Sequence, residues 1–183
     1  MTERGELDLV GLVALDGLYD RFRSRIDGLT DHEYLWEPAP NCWSLEPIGD
    51  GRFRAHPQFP EPDPPPLTTI AWRMCHIGDF LRGQRNWTWL GREPVFHDDD
   101  IEHPPTAAGG ISYVDESRDA WARLVRSLSE DEMWAPMGPI AEPYGSSSRL
   151  GFAIHIVDEF IHHAAEVSLM RDLYRVREQL GGR

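Results

Sequence analysis

Lysine is missing from this chain: all 18 basic residues among its 183 are arginine. A Schiff-base lysine, a P-loop lysine and lysine-mediated proton transfer are therefore excluded. Basic charge is also scarce in total, 18 residues against 31 acidic ones for a formal net charge of −13. Phosphate backbones are held by basic surface, so nucleic acid is not an expected partner. Cysteine is nearly absent: Cys42 and Cys75 are too few and too far apart for a disulfide framework or a Cys-x-x-Cys zinc site, and a reducing cytosol is the expected setting. No apolar run approaches the roughly 18 residues of a membrane span, and Met1-Thr2-Glu3-Arg4-Gly5-Glu6 lacks the positive flank and apolar stretch of a signal peptide. A cytoplasmic protein without membrane contact is the expectation. The alternation of a half-buried strand is missing over any length.

What is present is helical periodicity, in four stretches. Residues 7–26 carry Leu7, Val10, Val13, Leu18, Phe22 and Ile26 at near-helical spacing, and residues 67–90 form the second stretch. The third is predicted to begin at Ser112, with Asp115 completing a capping-box-like pattern, and to continue through Val114, Trp121, Leu124, Val125 and Leu128. The fourth follows the N-cap candidates Gly145-Ser146-Ser147-Ser148 and runs to about residue 177, before Gly181-Gly182. Between the first two lies a connection at about 37–66 holding Pro38, Pro40, Pro47, Pro57, Pro60, Pro62 and Pro64-Pro65-Pro66. Its proline density forbids a helix, and the missing amide donors disfavour a central strand. The acidic run Asp98-Asp99-Asp100 reads as a solvated loop. With 40% apolar residues the chain can bury a core of its own. The expected architecture is all-α: one domain over residues 1–183, a four-helix bundle with long crossover connections.

The fourth helix carries the chemistry. At about 100° of rotation per residue, Phe152, Ile156, Phe160, Val167, Met170 and Tyr174 share one arc, which marks the core side. His163 falls inside that arc and Glu159 on its edge, with Glu166 and His155 close by and His162 further toward the rim. Burying a charge costs several kcal/mol unless something pairs with it, so either the carboxylate and imidazole pair with each other or a cation sits between them. On the second helix, Ile70, Met74, Ile77, Phe80, Leu81 and Trp87 share a face that His76 borders. Arg73 lies in the middle of that face, whereas Asp79 and Arg82 are expected to project into solvent. His76, Glu159 and His163 together offer two imidazole nitrogens and one carboxylate oxygen, a set that suits Zn²⁺, Ni²⁺ or Fe²⁺ with open positions. A hydrogen-bonded core histidine and a helical Glu/His ion pair account for the same spacing without a metal.

The sequence resembles the DinB-like superfamily, bacterial four-helix-bundle proteins that include thiol-dependent S-transferases and the mycothiol-dependent maleylpyruvate isomerase. The resemblance rests on Cys75-His76-Ile77, on Asn41-Cys42-Trp43-Ser44-Leu45, and on Glu159-Phe160-Ile161-His162-His163-Ala164-Ala165-Glu166 leading to Met170-Arg171. It implies a metal triad of His76, Glu159 and His163. Two departures stand out: Glu166 stands where many relatives have another histidine, and the proline-rich connection is longer than is usual in the family.

The resemblance further implies a low-molecular-weight thiol, mycothiol or a similar one, that ionises on the metal and attacks a small electrophile held under the long loop. Arg73 is then expected to hold a carboxylate of thiol or substrate, or equally to pair with an acidic residue of a neighbouring helix. His155 and Glu166 are expected to orient the ligands or shuttle a proton, or equally to form an ion pair. Two rival functions are a metal-dependent hydrolase of a small amide or ester, and a non-catalytic binding or stress-response bundle that keeps the His/Glu cluster as a polar pin. A homodimer is compatible with a small bundle, although no heptad seam specifies one. Of the seven tryptophans, Trp72, Trp87 and Trp121 are expected in the core, and Trp36, Trp43 and Trp134 near the mouth of the site.

Overall fold

The computed structural model describes residues 8–56, 62–98 and 101–179. Leu7, Pro57, Pro60, Asp99, Asp100, Gly181-Gly182 and the N-terminal hexapeptide lie outside them. The helical content falls into α1 (Leu9–Val13), α2 (Asp16–Arg25), α3 (Asp31–Tyr34), α4 (Ile70–Arg82), α5 (Gln84–Trp89), α6 (Ala107–Arg126), α7 (Glu130–Trp134) and α8 (Arg149–Val176). The four bundle arms are α1/α2, α4/α5, α6 and α8: α4 packs against both α6 and α8, and the α1/α2 arm closes over the same two helices. Val13, Phe22, Ile26, Ile70, Met74, Ile77, Leu81, Trp121, Leu124, Ile156 and Phe160 meet in one core.

The first two predicted helices are each broken. Leu15 adopts a left-handed conformation, φ 67°, between α1 and α2, with its side chain fully buried. The break frees the carbonyl of Val13, which accepts the indole N–H of buried Trp121 at 2.7 Å. It also turns Val10 outward to 45% exposure, against the sequence expectation. Trp121→Phe strands that buried carbonyl and is expected to lower stability by about 1–3 kcal/mol, read as a shifted urea midpoint with unchanged slope. In the second arm Gly83 separates α4 from α5, and the buried Asn86 amide donates to the carbonyls of Phe80 and Leu81 at 2.6 and 3.1 Å. Trp72, Phe80 and Trp87 are only half-buried as a result of their place on these arms.

α6 starts at Ala107, five residues before the predicted Ser112, with Thr106 as N-cap and Asp31 accepting the Ala107 N–H at 2.7 Å. Asp115 caps nothing there; it takes the Tyr19 hydroxyl and lies 3.3 Å from Arg23. Gly109-Gly110 look like helix breakers in sequence, but Gly110 is a packing residue: a Cβ there would lie 2.6 Å from the Tyr34 hydroxyl. Gly78 serves the α4–α6 contact in the same way, since a Cβ would meet the Tyr113 ring at 2.2 Å. α8 begins where predicted, with Ser148 accepting the Gly151 N–H at 3.0 Å. Phe152, Ile156, Phe160 and Val167 are buried as expected, while Met170 and Tyr174, near the helix end, are only half-buried.

The proline-rich connection holds a β-hairpin that the sequence reading did not anticipate: β1 (Leu45–Gly49) pairs antiparallel with β2 (Arg52–Ala55). The signal is Asp50-Gly51, whose φ values of 54° and 74° match the two-residue turn that reverses a hairpin. Pro47 is tolerated because a two-stranded ribbon has only edge strands, and the pairing is irregular between Pro47 and Gly49. The hairpin is tied to the segment at 101–103: the His103 N–H donates to the Phe53 carbonyl at 2.8 Å, and Arg54 reaches the Ile101 carbonyl at 3.3 Å.

Candidate metal centre

The buried stripe of α8 carries His163 inward, to 8% exposure, one turn below Phe160 and one above Val167. Thr69, capping α4 by accepting the Trp72 N–H at 3.1 Å, starts the helix that presents Arg73 and His76 to the same point. There His163 stands between two carboxylates. Its Nδ1 is 2.8 Å from Glu166 Oε2 and its Nε2 is 3.3 Å from Glu159 Oε2. The His76 ring meets it edge-on, with centroids 4.8 Å apart. Arg73 completes the group, its Nε 2.9 Å from Glu166 Oε2 and its Nη1 3.2 Å from His163 Nδ1. The ion pair between Arg73 and an acidic residue of a neighbouring helix, one of the two roles open in sequence, is thus formed.

Both ring nitrogens of His163 are engaged: Nδ1 lies between Glu166 Oε2 and Arg73 Nη1, and Nε2 faces Glu159 Oε2 at 3.3 Å. With Nδ1–H donating to Glu166, the Nε2 lone pair is turned toward Glu159 and available to a cation; with the proton on Nε2, the ring donates to Glu159 and Nδ1 accepts from Arg73. Burial, reinforced by the positive charges of His163 and Arg73, pulls His76 down to about 4, so its imidazole is neutral with a lone pair to offer at physiological pH. For Glu166, burial pushes the carboxyl up, yet the hydrogen bond from His163 and the charge of Arg73 outweigh it and hold the group below its ordinary value. A donor set of two imidazoles and a carboxylate, with a carboxylate fastening the far nitrogen of one imidazole, fits a divalent cation.

Among the described residues, the group of three potential ligands whose donor atoms all lie within 4.8 Å of one another is His162, His163 and Glu166, not the predicted triple of His76, Glu159 and His163, in which His76 meets His163 by ring contact. The His162 side chain is 67% exposed and its Nε2 lies 3.3 Å from Glu166 Oε1, an ion pair of the ordinary helical i, i+4 kind.

His76 and Glu159 open onto a cavity of about 610 Å³ that Asp79, Arg85, Asp98 and His155 also border. Its α4 side is aromatic: His76 stacks on Trp72 at 5.1 Å and 15°, and Trp72 packs against Trp43, which stacks on His56. Trp43 therefore backs the site wall, whereas Trp36 packs on Tyr174 and Trp134 is 62% exposed. His155 is exposed on the cavity rim, and the alternative pairing with Glu166 is not made: eleven residues along a helix separate them by about 16 Å.

Asp79 and Arg82 correct the sequence reading, which placed both in solvent. Asp79 accepts from the Tyr113 hydroxyl at 2.5 Å and from His103 Nε2 at 3.0 Å. Arg82 stacks over Phe96 and Tyr113. His103, buried to 5% exposure and unnoticed in sequence, accepts the Ala55 N–H on Nδ1 at 2.7 Å, which leaves the proton on Nε2 for Asp79. This chain of bonds pins the hairpin to α4 and α6. It runs between parts of the chain that only the fold brings together, so no local pattern announces it.

No helix is long and apolar enough to cross a membrane among the described residues, and Cys42 and Cys75 are both free thiols. Comparison with curated proteins and with solved structures gives no match. A family model described as the DinB superfamily matches residues 14–167, a span that contains all the residues converging on His163. Proteins of that family often bind a divalent metal, and a His/Glu cluster that could hold one, His162, His163 and Glu166, is present here. On the strength of that match and of its helical bundle, the chain belongs to the DinB superfamily.

Proposed function

We propose that this protein is a divalent-metal-dependent S-transferase or isomerase that joins a low-molecular-weight thiol, of the mycothiol type, to a small electrophile, with His76, Glu159 and His163 as the metal ligands. The observation that carries the reading is the confrontation of His163 Nε2 and Glu159 Oε2 at 3.3 Å beside neutral His76, at the wall of a cavity large enough for small molecules. His76 and Glu159 border that cavity, which favours this triple over the exposed His162 grouping. A divalent cation at this point would lower the pKa of a coordinated thiol and so supply a nucleophile at neutral pH.

The residues of the chain supply the rest. Glu166 accepts from Nδ1 and holds the His163 ring so that Nε2 points toward Glu159 and His76. Arg73 neutralises Glu166 and keeps it on His163, a positioning role rather than direct contact with substrate. Trp72 stacks on His76 and fixes its ring. His155, on the rim, is placed to exchange protons with solvent.

The test is metal analysis of protein purified without chelator or affinity metal, followed by thiol consumption assays with and without added zinc, nickel or iron. Thiol-dependent turnover that requires the metal supports the reading; turnover without thiol makes the protein a hydrolase instead. Glu166→Gln is expected to weaken metal binding by about 10–100-fold through loss of the outer carboxylate, measured by competition with a chromogenic chelator. An unchanged affinity would show that His163 does not bind metal through Nε2.

A further inference from the structure

Next to the cavity bordered by His76 and Glu159 lies a second one of about 340 Å³, and the two share Arg85 and His155 as a common wall. Their charge differs sharply. The first is bordered by the carboxylates of Asp79, Asp98 and Glu159, whereas among the described residues no carboxylate borders the second. Its walls are Trp89, Phe152 and Tyr144, with Trp89 packed edge-on against Phe152 at 5.0 Å and 6.3 Å from Tyr144. Arg85 lies over two of these rings, 5.2 Å from the Trp89 centroid and 5.6 Å from that of Phe152. Those contacts use ring faces, and among the described residues no hydrogen bond or ion pair occupies its N–H donors. In a chain with 31 acidic side chains, an arginine that borders two cavities and has no carboxylate partner is a cation left available for a ligand.

We propose that the 340 Å³ cavity binds the carboxylate-bearing, planar part of the electrophile, with Arg85 receiving the carboxylate and the Trp89 and Phe152 rings flanking the apolar part. A guanidinium presents paired N–H donors that match a carboxylate, and the neighbouring aromatic rings offer faces against which a planar group can pack. Because Arg85 and His155 also border the metal cavity, a molecule held this way extends its other end toward His76 and Glu159. That the bound molecule is the electrophile rests on the function proposed above; the anion site itself does not.

Benzoate and its neutral isostere benzamide are the probes, titrated against intrinsic tryptophan fluorescence. Benzoate is expected to bind the wild type about tenfold more tightly than benzamide, and Arg85→Gln to remove that preference. Arg85→Lys should retain part of it. Trp89→Phe should abolish the fluorescence response while competition by unlabelled benzoate in a ligand-observed NMR experiment persists. Arg85 is exposed, so these variants are expected to fold, which circular dichroism checks. Equal binding of the two probes, absence of benzoate binding, or an Arg85→Gln variant like the wild type would overturn the assignment. His163→Ala separates this proposal from the metal reading. Benzoate binding should survive it, and loss of binding there would mean that the anion sits on the metal centre instead. Arg85-dependent binding to a protein that holds no metal would leave the subsite standing and remove the transferase reading.

Discussion

His163→Ala is expected to leave the protein folded but unable to retain a divalent ion, a larger loss than the roughly 10–100-fold cost of deleting an outer partner such as Glu166. The substitution removes a side chain that touches Glu159, Glu166, His76 and Arg73 at once. What remains is neutral His76 and a carboxylate on another helix, a pair with no shared centre. Glu166 keeps Arg73, so no buried charge is left alone. Elemental analysis and a thiol-transfer assay on the same preparation check the result. Metal retained at wild-type stoichiometry by His163→Ala would sink the proposed ligand set, and absence of metal from the wild type would sink the mechanism.

The second large effect is on stability. Arg171 and Glu33 form a buried bidentate pair, Nε to Oε1 at 2.7 Å and Nη2 to Oε2 at 3.2 Å, both residues about 5% exposed or less. The remaining guanidinium nitrogen donates to the carbonyls of Arg25 and Asp27 at 2.5 and 2.9 Å, closing the end of α2. One arginine thus fastens α8 to α2 and α3. Arg171→Ala leaves a buried carboxylate and two carbonyls without donors and is expected to cost about 3–5 kcal/mol. Arg171→Lys should restore little, because an ammonium cannot span all these acceptors. The double change Arg171→Met, Glu33→Leu should recover much of the loss, since removing both charges leaves neither one stranded. Urea denaturation of the four proteins decides it. A single-variant cost below about 1 kcal/mol, the scale of a solvated surface pair, would show that the pair is not shielded as described.

Sequence and structure agree most closely on α8. There the periodicity, the serine cap and the core face were legible because a long amphipathic helix writes its burial pattern locally, every third or fourth residue. The same pattern singled out His163 and Glu159, and the α4 pattern singled out His76. The pattern was silent on Glu33, which looks like any acidic residue of a short helix until Arg171 arrives from the far end of the chain. It misplaced Asp79, whose partners His103 and Tyr113 come from a loop and from α6. It also missed the hairpin, where Asp50-Gly51 is a clear turn signal set among prolines that argue against any sheet.

The sequence alone therefore determined the helical class and the face of α8 that goes inward, because those depend on spacing within a helix. Only the tertiary structure decided where α1 and α4 break, which nitrogen of His163 is engaged by Glu166, and that Arg73 serves that carboxylate. Several such contacts depend on a side chain delivered by another helix: Trp121 to the Val13 carbonyl, Arg73 to Glu166, Arg171 to Glu33. The missing lysine sharpens the last point. With only arginine as a lasting cation, several of the acidic groups reached from another helix are met by a guanidinium, and the helix that delivers each one is a property of the fold.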